Sequence, residues 1–266
     1  MTVTPETVAP ARPLKILGHR GARGIAPENT LAGFQAGIDA GIDMIELDVH
    51  LSKDGELVVM HDPRVERTTD GSGLISDMTL AEIKRLNAAA KFTGKDYGVE
   101  RVPTLQEAYD FVAGRVGIQI EIKTRADGSR YPGIEEKVVD LLRRNHAVES
   151  GLISSFDFPT LEKVHELEPR LARYAIVSTN YFKGVGSKGP EGVVADLQGH
   201  GFGAVAVEKT YLSEALFSQL KQAGFTVGVW VINDVQTMEK FAHMGVDFMT
   251  SDRPDILVPA YRKLSQ

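Results

Sequence analysis

The chain has 266 residues, 42% of them hydrophobic and 25% charged, with a formal net charge of −6 and no cysteine. This composition suits one soluble globular domain or two. It excludes disulfides, thiolate zinc sites and a cysteine nucleophile, lacks the basic footprint of a nucleic-acid binder, and offers no apolar run near the ~20 residues of a membrane span.

Residues 1–13 lack the basic-then-apolar order of a signal peptide and read as a loose terminus ahead of a cytoplasmic protein. Lys15 to His19 then forms a short apolar strand, and Arg20 to Ala26 a glycine-broken loop at its end. Pro27-Glu-Asn-Thr30 opens a helix with Leu31, Phe34 and Ile38 at helical spacing, Asn29 as N-cap and Gly41 as terminator. Asp43 to Asp48 is the second strand. It continues into a hairpin that turns at Lys53-Asp-Gly-Glu56 and returns through Leu57-Val-Val-Met-His-Asp62. Residues i and i+2 of a strand share a face, so Glu46 and Asp48 point together and the return strand brings His61 beside them. From Asp62 to Arg101 the sequence is turn-rich with one helical stretch, Thr79 to Leu86. Residues 49–102 therefore read as an insertion.

Regular alternation resumes with helix 104–112 and strand Gly117 to Lys123. It continues through helix 133–145, strand 151–155, helix 158–168, strand 171–177, a helix near 191–199 and strand 203–207. Helix 213–223, strand 226–232, helix 235–244 and strand 247–250 complete it. Without the hairpin's return, eight strands alternate with helices, the number that closes a parallel (β/α)8, or TIM, barrel within a single domain. An open doubly wound sheet shares the alternation but needs fewer strands and usually a glycine-rich nucleotide loop.

Polar residues collect where these strands end: His19-Arg20, Glu46 with Asp48, Glu121 with Lys123, Ser155-Phe156, Glu208, Trp230 with Asn233, and Ser251-Asp252. A polar residue at one strand end is ordinary loop solvation, but Glu46/Asp48 and Glu121/Lys123 lie among Ile, Leu and Val. Burying unpaired carboxylates there is costly, so a cation or a solvent face must satisfy them. Three carboxylates are hard oxygen ligands suited to Mg2+ or Ca2+. His19 and His61 can ligate, which keeps zinc open, or can serve as a general acid and base near neutrality. Arg20 and Lys123 can hold an anion such as phosphate, although Lys123 can equally pair with Glu121. His146, His165, His200 and His243 lack carboxylate company and read as surface residues, whereas His50 is in register with Asp48 if the strand continues.

The order of His19-Arg-Gly21, Pro27-Glu-Asn-Thr30, Glu46-Leu-Asp48, Val58-Val-Met-His-Asp62, Glu121-Ile-Lys123, Ser155-Phe156, Trp230-Val-Ile-Asn233 and Thr250-Ser-Asp-Arg-Pro254 resembles the glycerophosphodiester phosphodiesterase family. That group belongs to the phospholipase-C-like phosphodiesterases, and the resemblance spans nearly the whole chain. It implies a metal-dependent barrel with an insertion after the second strand. Glu46, Asp48 and Glu121 would then bind Mg2+ or Ca2+, His19 and His61 would act as general acid and base, and Arg20, Lys123 and Trp230 would contact the substrate and its phosphate. The implied reaction turns a small glycerophosphodiester into sn-glycerol 3-phosphate and an alcohol, with the glycerol 2-hydroxyl or water as nucleophile. Neither nucleic acid nor stable membrane insertion is expected, and the oligomeric state stays open.

Two features depart from the family's pattern. Thr250-Ser-Asp252 is one residue longer than the usual Thr-Asp-x-Pro, which leaves the place of Asp252 open. Residues 178–192 read as a glycine-rich basic loop, either a mobile surface segment or a substrate lid with Lys183 or Lys188 reaching the phosphate. Competing readings are a lysophospholipase D or sphingomyelinase-D-like enzyme, and an inactive barrel that binds a phosphorylated ligand.

Overall fold

A computed structural model describes residues 14–266; the expected loose terminus lies outside them. The strands are β1 (Lys15–Gly18), β2 (Met44–Leu51), β3 (Leu57–Val59), β4 (Gly117–Ile122), β5 (Leu152–Ser155), β6 (Ala172–Val177), β7 (Ala204–Glu208), β8 (Thr226–Trp230) and β9 (Phe248–Ser251). The helices are α1 (Leu31–Ala40), α2 (Leu80–Ile83), α3 (Leu105–Val112), α4 (Ile134–Arg144), α5 (Phe158–Leu167), α6 (Thr179–Gly184), α7 (Gly189–Gly199), α8 (Glu214–Gln222), α9 (Val235–Met244) and α10 (Pro254–Leu264).

Strand β1 pairs in parallel with β9 on one side and β2 on the other, which closes the ring β1-β9-β8-β7-β6-β5-β4-β2. The fold is thus the expected eight-stranded parallel barrel wrapped by helices. Among the described residues only β3 departs from it, running antiparallel along the outer end of β2. Parallel strands buried on both faces need near-continuous apolar sequence, which β2 (M-I-E-L-D-V-H-L) and β4 (G-I-Q-I-E-I) supply except at their inward polar positions.

The outward strand faces and the helices share one large core, exemplified by Ile45, Leu47, Ile120, Val205 and Phe241. Inside the ring, Leu17, Ile176, Ala206 and Phe248 fill the barrel, with Met44, Tyr174 and Trp230 packed against them. A methyl group at Gly228 would lie 2.0 Å from the Phe248 ring, so the absence of a side chain there admits the phenyl. Val58 of β3 and residues after that strand, Met60, Val65, Ile75, Ile83, Ala88 and Val102, form a separate small core.

Several local expectations change. The cap of α1 is Thr30, whose hydroxyl accepts from Gly33 N at 3.0 Å. Asn29 instead sits at φ 54°, and its amide donates to Asp48 Oδ2 at 2.9 Å, so the carboxylate takes the group expected to cap. The helical stretch at 79–86 shrinks to the single turn of α2, begun by a capping box between Thr79 and Glu82. Residues 178–192 are mostly helical: Tyr181 Oη donates to Asp196 at 2.8 Å, and Phe182 stacks on Tyr211 with centroids 4.5 Å apart. Glycine counting missed these aromatic anchors. The terminal helix α10 had no counterpart in the strand-helix rhythm. Leu257 and Val258 bury its inner face, and Tyr261 accepts from Leu14 N at 3.1 Å.

Candidate active site at the carboxyl ends of the strands

Gly18 N-terminally flanks the first catalytic candidates, and the chain turns at once: Gly21 N–H donates to Gly18 O at 3.1 Å. Arg20 occupies the left-handed region at φ 52°, and Gly21 follows at φ 90° against the backbone of Gly33. Non-glycine residues hold such a conformation only where surroundings enforce it. Here the turn aims the Arg20 N–H at Glu46 Oε2, 2.8 Å away, and sends the His19 ring inward.

His19 Nδ1 lies 2.5 Å from Asp252 Oδ1. Asp252 is in turn fixed by Asn233, whose Nδ2 donates to its Oδ2 and whose Oδ1 accepts its backbone N–H, both at 2.9 Å. This answers where the longer Thr-Ser-Asp motif leaves its carboxylate: directly behind His19. His61, just past β3, repeats the arrangement with Nδ1 at 2.6 Å from Asp62 Oδ1. A carboxylate on Nδ1 favours a proton there and leaves Nε2 as the atom that exchanges protons. Both rings line one cavity of about 320 Å³ at the carboxyl ends of the strands. Burial is the largest influence on each and lowers both imidazoles from their ordinary value.

Glu46, Asp48 and Glu121 converge below these rings, with one oxygen from each within 4.8 Å of the others. All three carboxylates are buried. The i, i+2 spacing on β2 and the parallel register that sets Asp48 beside Glu121 create the cluster. Burial, then repulsion from Asp48 and Glu121, pushes Glu46 well above the usual carboxylate range. Burial likewise raises Glu121. Burial opposes ionisation of Asp48 too, but Lys123 and Arg20 outweigh it and hold that carboxyl low. Asp48 Oδ1 has no hydrogen-bond partner among the described residues. A buried carboxylate oxygen with no hydrogen bond, approached by Lys123 Nζ at 3.4 Å, beside two carboxylates that resist ionisation fits a cation at their centre.

Arg20 and Lys123 border the cluster and are partly committed to it. Arg20 donates to Glu28 at 2.8 Å and places Nε 3.5 Å from Asp48 Oδ2. Lys123 pairs with Glu121 at 2.5 Å and approaches Asp48 at 3.4 Å, so the simple pairing with Glu121 is present. Trp230 and Phe156 form the apolar wall, edge to face with centroids 5.6 Å apart, and Phe156 is 45% exposed. All eight sequence-derived candidates therefore meet at one end of the barrel. Lys183 and Lys188 are absent from the cavity wall.

Sequence reasoning missed Asn29, Glu28 and Arg67, and left His50 undecided. His50 is fully buried, with one ring nitrogen 3.0 Å from Tyr131 Oη and the other 3.0 Å from the carbonyl of His61. A histidine at an inward register position two residues beyond Asp48 was the available signal.

A second cavity, about 260 Å³, opens at the amino ends of the strands and includes Lys15, Tyr174 and Phe248. Barrel chemistry is built at the opposite end, where the carboxylates and imidazoles lie. Fold and site together define a (β/α)8-barrel enzyme. The model of the Glycerophosphoryl diester phosphodiesterase family matches residues 19–256, and the chain belongs to this family of phosphoric diester hydrolases. It is similar to a glycerophosphodiester phosphodiesterase of Caldanaerobacter subterraneus subsp. tengcongensis, 34% identical over 250 residues that cover 93% of this chain and 98% of the relative. A Bacillus altitudinis glycerophosphodiester phosphodiesterase is 34% identical over 248 residues, covering 91% and 95%. Among solved structures, an Oleispira antarctica phosphodiesterase in complex with the product sn-glycerol-3-phosphate matches with TM-score 0.80 and 32% identity, covering 93% of this chain and 96% of that one.

Proposed function

We propose that this enzyme hydrolyses small glycerophosphodiesters to sn-glycerol 3-phosphate and an alcohol, with a divalent cation held by Glu46, Asp48 and Glu121 and with His19 and His61 moving the protons. The observation that carries the reading is the pair of carboxylate-backed imidazoles, His19 on Asp252 and His61 on Asp62, on the wall of one cavity above a buried carboxylate cluster. The product bound to the Oleispira antarctica neighbour supports the substrate class.

All three candidate ligands are hard oxygens, which suit Mg2+ or Ca2+. When bound, such an ion supplies positive charge to a phosphoryl oxygen as negative charge develops there. Arg20 and Lys123 lie beside the same carboxylates and would orient the phosphoryl group from the protein side. The lowered imidazoles start neutral. A bound diester brings a negative charge that raises the proton affinity of the nearer ring. That ring takes up a proton from solvent at Nε2 and, as imidazolium, donates it to the leaving alkoxide, while the other, neutral ring accepts a proton from the attacking hydroxyl at its own Nε2. The Phe156–Trp230 wall offers apolar area to the carbon skeleton of glycerol.

Purified protein would be given glycerophosphocholine or lysophosphatidylcholine, each with Mg2+, Ca2+ or chelator, and released products identified. Glycerol 3-phosphate from glycerophosphocholine only when a divalent ion is supplied is the expected result. Turnover confined to lysophosphatidylcholine would reassign the substrate class, and equal turnover in chelator would remove the cation.

A further inference from the structure

Arg67 lies five residues beyond Asp62, in the turn-rich segment after β3, and its side chain is 46% exposed. All three guanidinium nitrogens are engaged. Nη1 donates to Glu28 Oε2 at 2.9 Å, Nη2 to Glu28 Oε1 at 2.8 Å, and Nε to Asp62 Oδ2 at 2.5 Å. Each carboxylate reaches onward: Asp62 Oδ1 meets His61 Nδ1 at 2.6 Å, and Glu28 Oε1 also accepts from Arg20 Nη1 at 2.8 Å. The result is one continuous chain, His61–Asp62–Arg67–Glu28–Arg20, crossing from the segment after β3 to the loop after β1.

Exposed ion pairs alone contribute little, and this guanidinium stands out by its geometry. A planar fork binds one carboxylate bidentately and a second through Nε, which an ammonium cannot reproduce. Burial opposes the charge on Glu28, yet Arg67 and Arg20 bring its carboxyl down to about 2. The link is therefore ionised near neutral pH.

We propose that Arg67 is a positioning residue that sets the geometry of the proton-transfer histidine and of the phosphate-side arginine at once. Through Asp62 it fixes the ring plane of His61, and through Glu28 it fixes the guanidinium of Arg20. It lies off the wall of the cavity that His19 and His61 line. The inference rests on the proposed roles of His61 and Arg20. It adds that one residue outside the barrel strands governs both.

The test is a double-mutant cycle on the full chain with glycerophosphocholine as substrate and kcat and KM measured separately. Arg67→Met should lower kcat roughly tenfold and raise KM severalfold, since coupled neighbours share interaction energies of that order. Its melting temperature should fall by several degrees, since Arg67 also stabilises the Glu28 carboxylate, and the variant should stay folded at the assay temperature. In an Asp62→Asn background the kcat effect of Arg67→Met should vanish while the KM effect persists; in Glu28→Gln the reverse should hold. Added guanidinium ion should recover part of the loss. Arg67→Lys, which keeps the charge and guards against a folding failure of the methionine variant, should remain defective. Wild-type kcat and KM in Arg67→Met or Arg67→Lys would overturn the proposal, as would strictly additive losses in both backgrounds. His61→Ala run in parallel separates the two levels. If it is inactive while Arg67→Met is normal, only the role of Arg67 falls; if it keeps the parental rate, the two-histidine reading falls first.

Discussion

His19 and Asp252 stand 233 positions apart in sequence and meet at 2.5 Å, because β1 and β9 are neighbours at the closure of the barrel. The contact fixes which nitrogen of His19 carries the proton. Asn233 prevents Asp252 from swinging away by holding both its side chain and its backbone N–H.

Replacing Asp252 with Asn separates geometry from charge. An asparagine amide can donate to Nδ1, which favours the proton on Nε2 and removes that atom as an acceptor. Steady-state assays should show kcat falling at least tenfold with little change in melting temperature, and His19→Ala should lose about 100- to 10,000-fold, the range for a positioned acid or base. If Asp252→Asn kept the parental rate, the carboxylate behind His19 would have no catalytic role.

How much of this was legible in the chain follows from range. Glu46 and Asp48 declare themselves by i, i+2 spacing within an apolar strand, and Glu121 by repeating the pattern. The barrel follows from counting alternations. The Asp252–His19 contact was hidden because it depends on ring closure, and the Arg67 fork because turn-rich sequence carries no periodicity to place a side chain. Asn29 shows a third kind of miss: local capping preference favoured one role, and the Asp48 carboxylate 19 positions away claimed the amide.

Cation binding has a consequence that can be read without any turnover. Burial and mutual repulsion raise Glu46 and Glu121, so in mildly acidic solution the ion-free cluster retains protons that a cation must displace. Titrating Mg2+ or Ca2+ by calorimetry in two buffers of different ionisation enthalpy should reveal net proton release that shrinks as pH rises. Glu46→Gln should weaken binding and reduce the release. Heats independent of buffer, or unchanged affinity in Glu46→Gln, would place the cation elsewhere.

Gly18 is a stability and activity test in one residue. A methyl group there would sit 1.9 Å from the carbonyl oxygen of Gly21 and 2.9 Å from the Ile42 side chain. Backbone cannot yield as a side-chain tip does, so Gly18→Ala should cost about 2 kcal/mol. Denaturant melts would measure that cost. The displaced turn also carries His19 and Arg20, and activity should drop even at temperatures where the variant is folded.

Acid stability follows from Glu28. Its carboxyl falls from the ordinary 4.5 to about 2 in the folded chain: burial opposes the shift, and hydrogen bonds from Arg67 with the charge of Arg20 overcome it. Because the folded value is the lower one, the stabilisation is fully present above pH 4.5 and disappears as pH falls from there toward 2. A shift of this size corresponds to about 3 kcal/mol. Urea melts from pH 6 down to pH 3 should therefore show the parent losing more stability than Glu28→Gln, whose neutral amide takes up no proton. The two curves should converge at the acid end, with the variant already weaker at pH 6. Parallel curves would mean that Arg20 and Arg67 find other partners when Glu28 is neutral, and that the chain joining them to His61 is not held together at this carboxylate.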